Sequence, residues 1–98
     1  MSPPVEFSPE VQVEINDAHA WYEQRMSGLG PAFLDEVQRL LGAIALMPSR
    51  FGFALGDIRV GMLDRFPYAI YFRVLPNRIR ILAVFHTARD PSAWQSRT

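Results

Sequence analysis

Hydrophobic positions recur at two different periods along this chain. In the first half, Val11, Ile15, Ala18, Tyr22 and Met26 follow one another every three or four residues, the spacing of one face of an α-helix. Ser8 precedes that stripe as an N-cap, with Pro9 at the first helical position and Glu10 behind it. Glu10, Glu14 and Asp17 fall off the stripe and read as a solvated face. The run Ser27-Gly28-Leu29-Gly30 stops the helix, and Pro31 opens a second one. The second stripe is Phe33, Val37, Leu40, Ile44 and Met47, flanked by Leu34 and Leu41, with Asp35 and Glu36 near the positive end of the helix dipole. Pro48 ends it, because a residue before proline is pushed out of helical geometry. A four-residue linker predicts that the two helices form an antiparallel hairpin.

Residues 49–56 show no period and read as a loop, after which the period becomes two. Val5-Glu6-Phe7 reads as a short first strand, and 58–63, 68–75 and 78–86 as three longer ones. Pro76-Asn77 marks the last turn. Proline cannot take the positive φ of a type I′ turn, so a type I turn in a slightly longer loop is expected. Symmetric pairing about that turn sets Val74 opposite Ile79, Phe72 opposite Ile81, Ile70 opposite Ala83 and Tyr68 opposite Phe85. That face is wholly apolar and must be the one covered by the helices. The other face pairs Arg73 with Arg80, Tyr71 with Leu82 and Ala69 with Val84. The strand before it divides likewise, Ile58, Val60 and Met62 alternating with Arg59, Gly61 and Leu63. Asp90 and Pro91 suit the N-cap and first position of a short C-terminal helix, from which Trp94 packs back on the domain. The expected class is α+β: an N-terminal helical hairpin on one face of a small twisted antiparallel sheet, with a short C-terminal helix.

Composition narrows the functional classes. A chain of 98 residues is one domain, spanning 1–98. With 49% hydrophobic and 20% charged residues it is too apolar for disorder. It has no cysteine, which excludes a disulfide framework, a thiolate zinc site and a cysteine nucleophile. His19 stands in mid-helix with no histidine near it, so neither metal nor cofactor is expected. Gly28 and Gly30 lack the Lys-Ser or Lys-Thr of a phosphate loop. No apolar run approaches the roughly 18 residues of a membrane span. Met1-Ser2-Pro3-Pro4 has neither the basic flank nor the apolar stretch of a signal peptide, and the lack of cysteine fits a reducing cytosol. The net charge of zero conceals a segregation. Up to Ser49 there are seven acids against two arginines, and from Arg50 onward eight arginines against three acids. Such asymmetry points to a basic face directed at an anionic partner. Every cation is an arginine, whose rigid fork of donors grips carboxylate or phosphate.

Three stretches carry a family resemblance. They are Trp21-Tyr22-Glu23 with Gly28-Leu29-Gly30 and Phe33-Leu34-Asp35-Glu36-Val37; Ile58-Arg59 with Arg65-Phe66-Pro67-Tyr68-Ala69-Ile70-Tyr71-Phe72; and the strand ending at Phe85 with His86-Thr87-Ala88-Arg89-Asp90-Pro91 and Trp94. In this order, over about residues 7–97, they resemble the ParE/RelE superfamily of bacterial type II toxins, on the ParE side. The resemblance implies a small cytoplasmic toxin neutralised by a cognate antitoxin that wraps around it, in a hetero-oligomeric complex. ParE-type members poison DNA gyrase, and RelE-type members cut messenger RNA on the ribosome.

The residues bear on that choice. Metal-free RNA cleavage needs a base, an acid and cations for the extra phosphate charge. His86, Arg59, Arg65 and Arg89 are the candidates here, with Asp57 or Asp64 as a base that nothing aligns. Ribonuclease members use lysines, arginines, an acidic base or a late tyrosine. This chain has no lysine, and Thr87 stands where some of them have tyrosine. These departures favour the gyrase poison over the ribosome-dependent endoribonuclease, with a degenerate toxin that retains only antitoxin binding as a third reading. Arg59, Arg65, Arg73 and Arg80 are the candidate surface for the target or the antitoxin, converging near the basic sheet face. Trp21 and Tyr22 read as core or helix-packing residues, not as a stacking platform for bases.

Overall fold

Ser8 caps the first helix as its position requires: its hydroxyl accepts a hydrogen bond from Val11 N–H at 3.4 Å. It does so in a computed structural model that describes residues 3–97; Met1, Ser2 and Thr98 of the expected span lie outside the described residues. In chain order the elements are β1 (Val5–Phe7), α1 (Pro9–Arg25), α2 (Leu29–Leu46), a 3-10 turn (Pro48–Arg50), β2 (Phe53–Leu55), β3 (Ile58–Met62), β4 (Tyr68–Val74), β5 (Ile79–His86) and α3 (Ser92–Gln95).

The hairpin turn is shorter than the glycines and proline imply. Gly28, at φ 94°, reverses the chain in the left-handed region, and α2 begins at Leu29. Glu23, near the end of α1, accepts hydrogen bonds from Gly28 and Gly30 N–H, which are among the orphan donors of a helix start. Pro31 then sits in the first turn, where its missing N–H leaves nothing unpaired. The buried stripe is Val11, Ile15 and Ala18 on α1 and Phe33, Val37 and Ile44 on α2. Met26 and Met47 close their stripes in the sequence but are C-cap residues just beyond the helices, and both are exposed.

The sheet has the order β1-β5-β4-β3-β2. It is mixed, not purely antiparallel: β1 pairs parallel with β5, Val5 lying opposite Ile79. The long connection through both helices, the outer strands and the hairpin makes that orientation accessible. β2 lies inside the segment read as a loop. It is three residues long and wholly exposed, so no buried alternation marks it in the sequence.

The β4–β5 register agrees with expectation for Val74–Ile79, Arg73–Arg80 and Phe72–Ile81, then slips. A bulge makes Leu82 the extra residue of β5, and the pairs become Tyr71–Ala83, Ile70–Val84, Ala69–Phe85 and Tyr68–His86. A one-residue slip exchanges faces. Val84 turns to the helices, and Phe85, expected there, turns to the opposite face. Two apolar clusters result. The larger lies between the hairpin and Ile70, Phe72, Ile79 and Ile81; the smaller, on the outer face, comprises Ile58, Leu82, Ala83, Phe85 and Trp94. Trp94 on α3 stacks on Tyr71, ring centroids 4.0 Å apart, and is 2% exposed. Val74, at the end of its strand, is exposed instead of packed on the helices.

β3 presents Arg59 and Gly61 to the helix side, opposite Phe72 and Ile70, and Ile58, Val60 and Met62 to the outer side. Gly61 is what permits this. A Cβ there would stand 3.1 Å from both the Leu40 and the Phe51 side chains.

Candidate functional surfaces

The outer face of the sheet carries one pair of the four candidate arginines. Arg73 and Arg80 are directly opposed on β4 and β5, a placement that repels. Asp57, in the turn before β3, relieves it: both carboxylate oxygens accept from Arg73 Nε at 3.1 Å. Arg78, beside them at the turn, is held by Glu6 of β1 at 2.9 Å. Arg80 is exposed and has no ion pair among the described residues. It is therefore the uncompensated charge of the Arg73–Arg80 pair.

Arg59 and Arg65 do not join them. Arg59 lies over the Phe53 ring at 4.0 Å and donates to Phe51 O, which fastens the segment after α2 to β3. Arg65, in the turn between β3 and β4, donates through Nε to Glu36 of α2. Glu36 is 6% exposed and also accepts from the backbone N–H groups of Asp64 and Arg65. Burial pushes its carboxyl up, but those bonds and the Arg65 charge outweigh burial and hold it below the ordinary range. Arg59 and Arg65 are thus engaged in holding loops, on different sides of β3 from the Arg73–Arg80 pair.

His86 and Arg89 meet at the far end of β5. They line a cleft of about 360 Å³ with Tyr68, Val84 and the α1 residues Asp17, Trp21 and Tyr22. His86 Nδ1 accepts from Ala88 N–H at 3.0 Å, which directs its proton to Nε2. Its ring meets Tyr68 edge-on at 5.3 Å. Burial pushes the Tyr22 hydroxyl up; burial, and then the neighbouring Tyr22, push the Tyr68 hydroxyl up against a smaller lowering by Arg89. Both phenols therefore stay protonated near neutrality. Arg89 lies over Phe85 at 4.1 Å. The four ribonuclease candidates fall at three separate places: His86 with Arg89, Arg59 at β2, and Arg65 at Glu36. Tyr22 packs as expected, stacked on Phe33 at 5.4 Å, whereas Trp21 is half exposed beneath the Arg25 guanidinium.

Two carboxylates have structural roles that the sequence reading missed. Glu36 follows Phe33 by three residues, so it lies on the apolar stripe, which is a signal for a buried, bonded acid. Glu14, expected on a solvated face, is largely buried instead: it follows Val11 by three and borders the stripe in the same way. It accepts from Val84 N–H at 3.0 Å and pairs with Arg97 at 2.7 Å. Trp94 buries an indole N–H with no hydrogen-bond partner among the described residues. Among the described residues, no three His, Asp or Glu side chains gather as a metal site would require. No helix among them is long and apolar enough to cross a membrane.

The family model described as "ParE toxin of type II toxin-antitoxin system, parDE" matches residues 5–91. Among solved structures, the chromosomal ParDE TA system from P. aeruginosa shares the fold with a TM-score of 0.66 at 15% identity, covering 87% of this chain and 96% of that one. No curated protein matches the chain.

Proposed function

Because the chain belongs to the ParE toxin family of type II toxin–antitoxin systems, we propose that it is a cytoplasmic toxin that binds and poisons DNA gyrase and is silenced by a cognate antitoxin. In this reading the toxin acts by binding, with no bond made or broken by its own side chains. The observation that carries it is the scatter of the proton-transfer and cationic candidates: His86 is apart from Arg59 and Arg65, and both of those arginines are spent on Phe51 and Glu36. The opposed Arg73 and Arg80 supply an anion-seeking face for an acidic segment of the antitoxin, the target, or each in turn.

The test is induction of the chain alone in cells, with DNA breaks and transcript ends followed over time. DNA breaks are expected first. The variant His86→Ala is expected to fold and keep most of its toxicity, because the effect of a binding surface is spread over several residues. A general acid or base would instead cost about 10²–10⁴-fold in rate. Cut transcripts ahead of DNA breaks, with toxicity abolished in a folded His86→Ala chain, would transfer the proposal to the ribonuclease reading.

A further inference from the structure

β1 runs out before β5 does. Their pairing ends at Phe7 opposite Ile81, whereas β5 continues to His86. From Leu82 onward β5 has β4 on one side and no strand on the other. Such an edge is a template for a further strand. Here side chains occupy part of it. Val84 N–H donates to Glu14 Oε1 at 3.0 Å, and Leu82 O accepts from Arg97 Nη1 at 3.2 Å. Glu14 and Arg97 are joined to each other at 2.7 Å. The ion pair stands where the backbone of a neighbouring strand would run.

Beside the same edge runs a groove along α1, walled opposite the helix by Val84 and His86 of β5 at one end and by Arg89 and Arg97 at the other. Toward the hairpin turn the groove holds about 360 Å³ beside Trp21, and toward the start of α1 about 450 Å³ beside Val13. Glu14, Asp17 and Arg89 line both parts, so the groove is continuous. Its α1 wall is acidic and partly apolar. Glu10 and Asp17 have no ion pair among the described residues, and Val13 and Trp21 are half exposed.

We propose that the groove between α1 and the unpaired half of β5 receives an extended, arginine-bearing segment of a partner protein, which adds to β5 as a strand in line with β1 and replaces Arg97 on Glu14. The chemistry of the occupant is read from Arg97 itself. One guanidinium satisfies a carboxylate and a strand carbonyl together, which a lysine ammonium does less well. The unpaired Glu10 and Asp17 favour positive charge along the rest of the segment. Alternate side chains of a strand point the same way, so apolar residues two apart can meet Val13 and Trp21. The charge required is opposite to that sought by Arg73 and Arg80, and the inference stands independently of the gyrase reading.

A capped heptapeptide of alternating threonine and valine with a central arginine serves as the probe, followed by amide NMR on the full chain. The Val84 amide is expected to shift and to exchange more slowly as peptide is added. Arg97→Ala, which removes the resident competitor, is expected to bind several-fold more tightly. Glu14→Gln keeps an acceptor for Val84 but loses the charge, and is expected to bind about tenfold more weakly. A peptide with glutamate at its centre, or with alternate amides N-methylated, should lose binding to a similar degree. Equal binding of the N-methylated peptide would overturn the proposal. So would perturbations at the β2 edge in place of Val84, or no response at millimolar peptide in a folded Arg97→Ala chain. Dimerisation of Arg97→Ala without peptide would assign the groove to a second copy and overturn it also.

Discussion

Glu36 shows how one buried charge ties a functional candidate into the fold. It anchors the turn between β3 and β4 through Asp64 N–H, Arg65 N–H and Arg65 Nε. Its carboxyl is held below the ordinary range, so its contribution to stability is full above about pH 5 and is lost as pH falls through the folded-state value. Asp90 works in the same direction: hydrogen bonds from Ser92 backbone and side chain lower its carboxyl at the exposed start of α3. The variant Glu36→Gln is expected to be destabilised by about 1–3 kcal/mol at neutral pH. Its urea midpoint should also fall less than that of the wild type between pH 5 and pH 3. An equally steep acid dependence in both would show that Glu36 carries none of it. Trp94 makes a second residue-scale case. Its ring fills the outer cluster against Tyr71, while its N–H is buried without a partner. Trp94→Ala is expected to cost about 3–5 kcal/mol. Trp94→Phe keeps the stacking, removes the unpaired donor and should cost much less. Thermal melts of the two variants compare them directly.

At the scale of elements, both helices were legible because capping and stripe agree: Ser8, Pro9 and the buried Val11, Ile15 and Ala18 all report one helix. The β4–β5 register was legible only as far as Phe72–Ile81. Beyond that point both candidate registers place apolar residues on both faces, because Leu82, Ala83, Val84 and Phe85 form a continuous apolar run. Alternation cannot choose between them. The choice is made by Trp94, which covers Phe85 and Leu82 from the outer side, and by Glu14, which holds Val84 N–H. The packing of β3 on α2 yields an element-scale prediction. Gly61→Val improves strand propensity, an effect of at most about 1 kcal/mol. Its added methyl groups meet Leu40 and Phe51, where even a Cβ is already tight at 3.1 Å. Overpacking of this kind costs about 1–3 kcal/mol, so net destabilisation is expected in a urea titration. A stabilised Gly61→Val chain would mean that Phe51 and Leu40 yield freely.

For the whole molecule the segregation of charge becomes a division of surfaces. The arginines of the second half do not form one patch. Arg73 and Arg80 share the outer face, Arg59 and Arg65 hold loops, and Arg97 crosses to Glu14 of the acidic half. Reversing both Arg73 and Arg80 to glutamate is therefore expected to slow association with an acidic partner by about tenfold or more and to flatten its salt dependence. Stopped-flow rates at two ionic strengths measure this, and unchanged rates would remove the outer face from the binding surface. By itself the sequence determined the local choices. Capping residues, stripes and turn-formers set the hairpin, four of the five strands and the α+β class, because those signals act within a few residues along the chain. The ordered motifs determined the family. Only the tertiary structure decided the parallel seat of β1, the bulge at Leu82, the burial of Glu36 and the dispersal of the arginines. Each of these depends on residues far apart in sequence meeting at one place, and no local period records such a meeting.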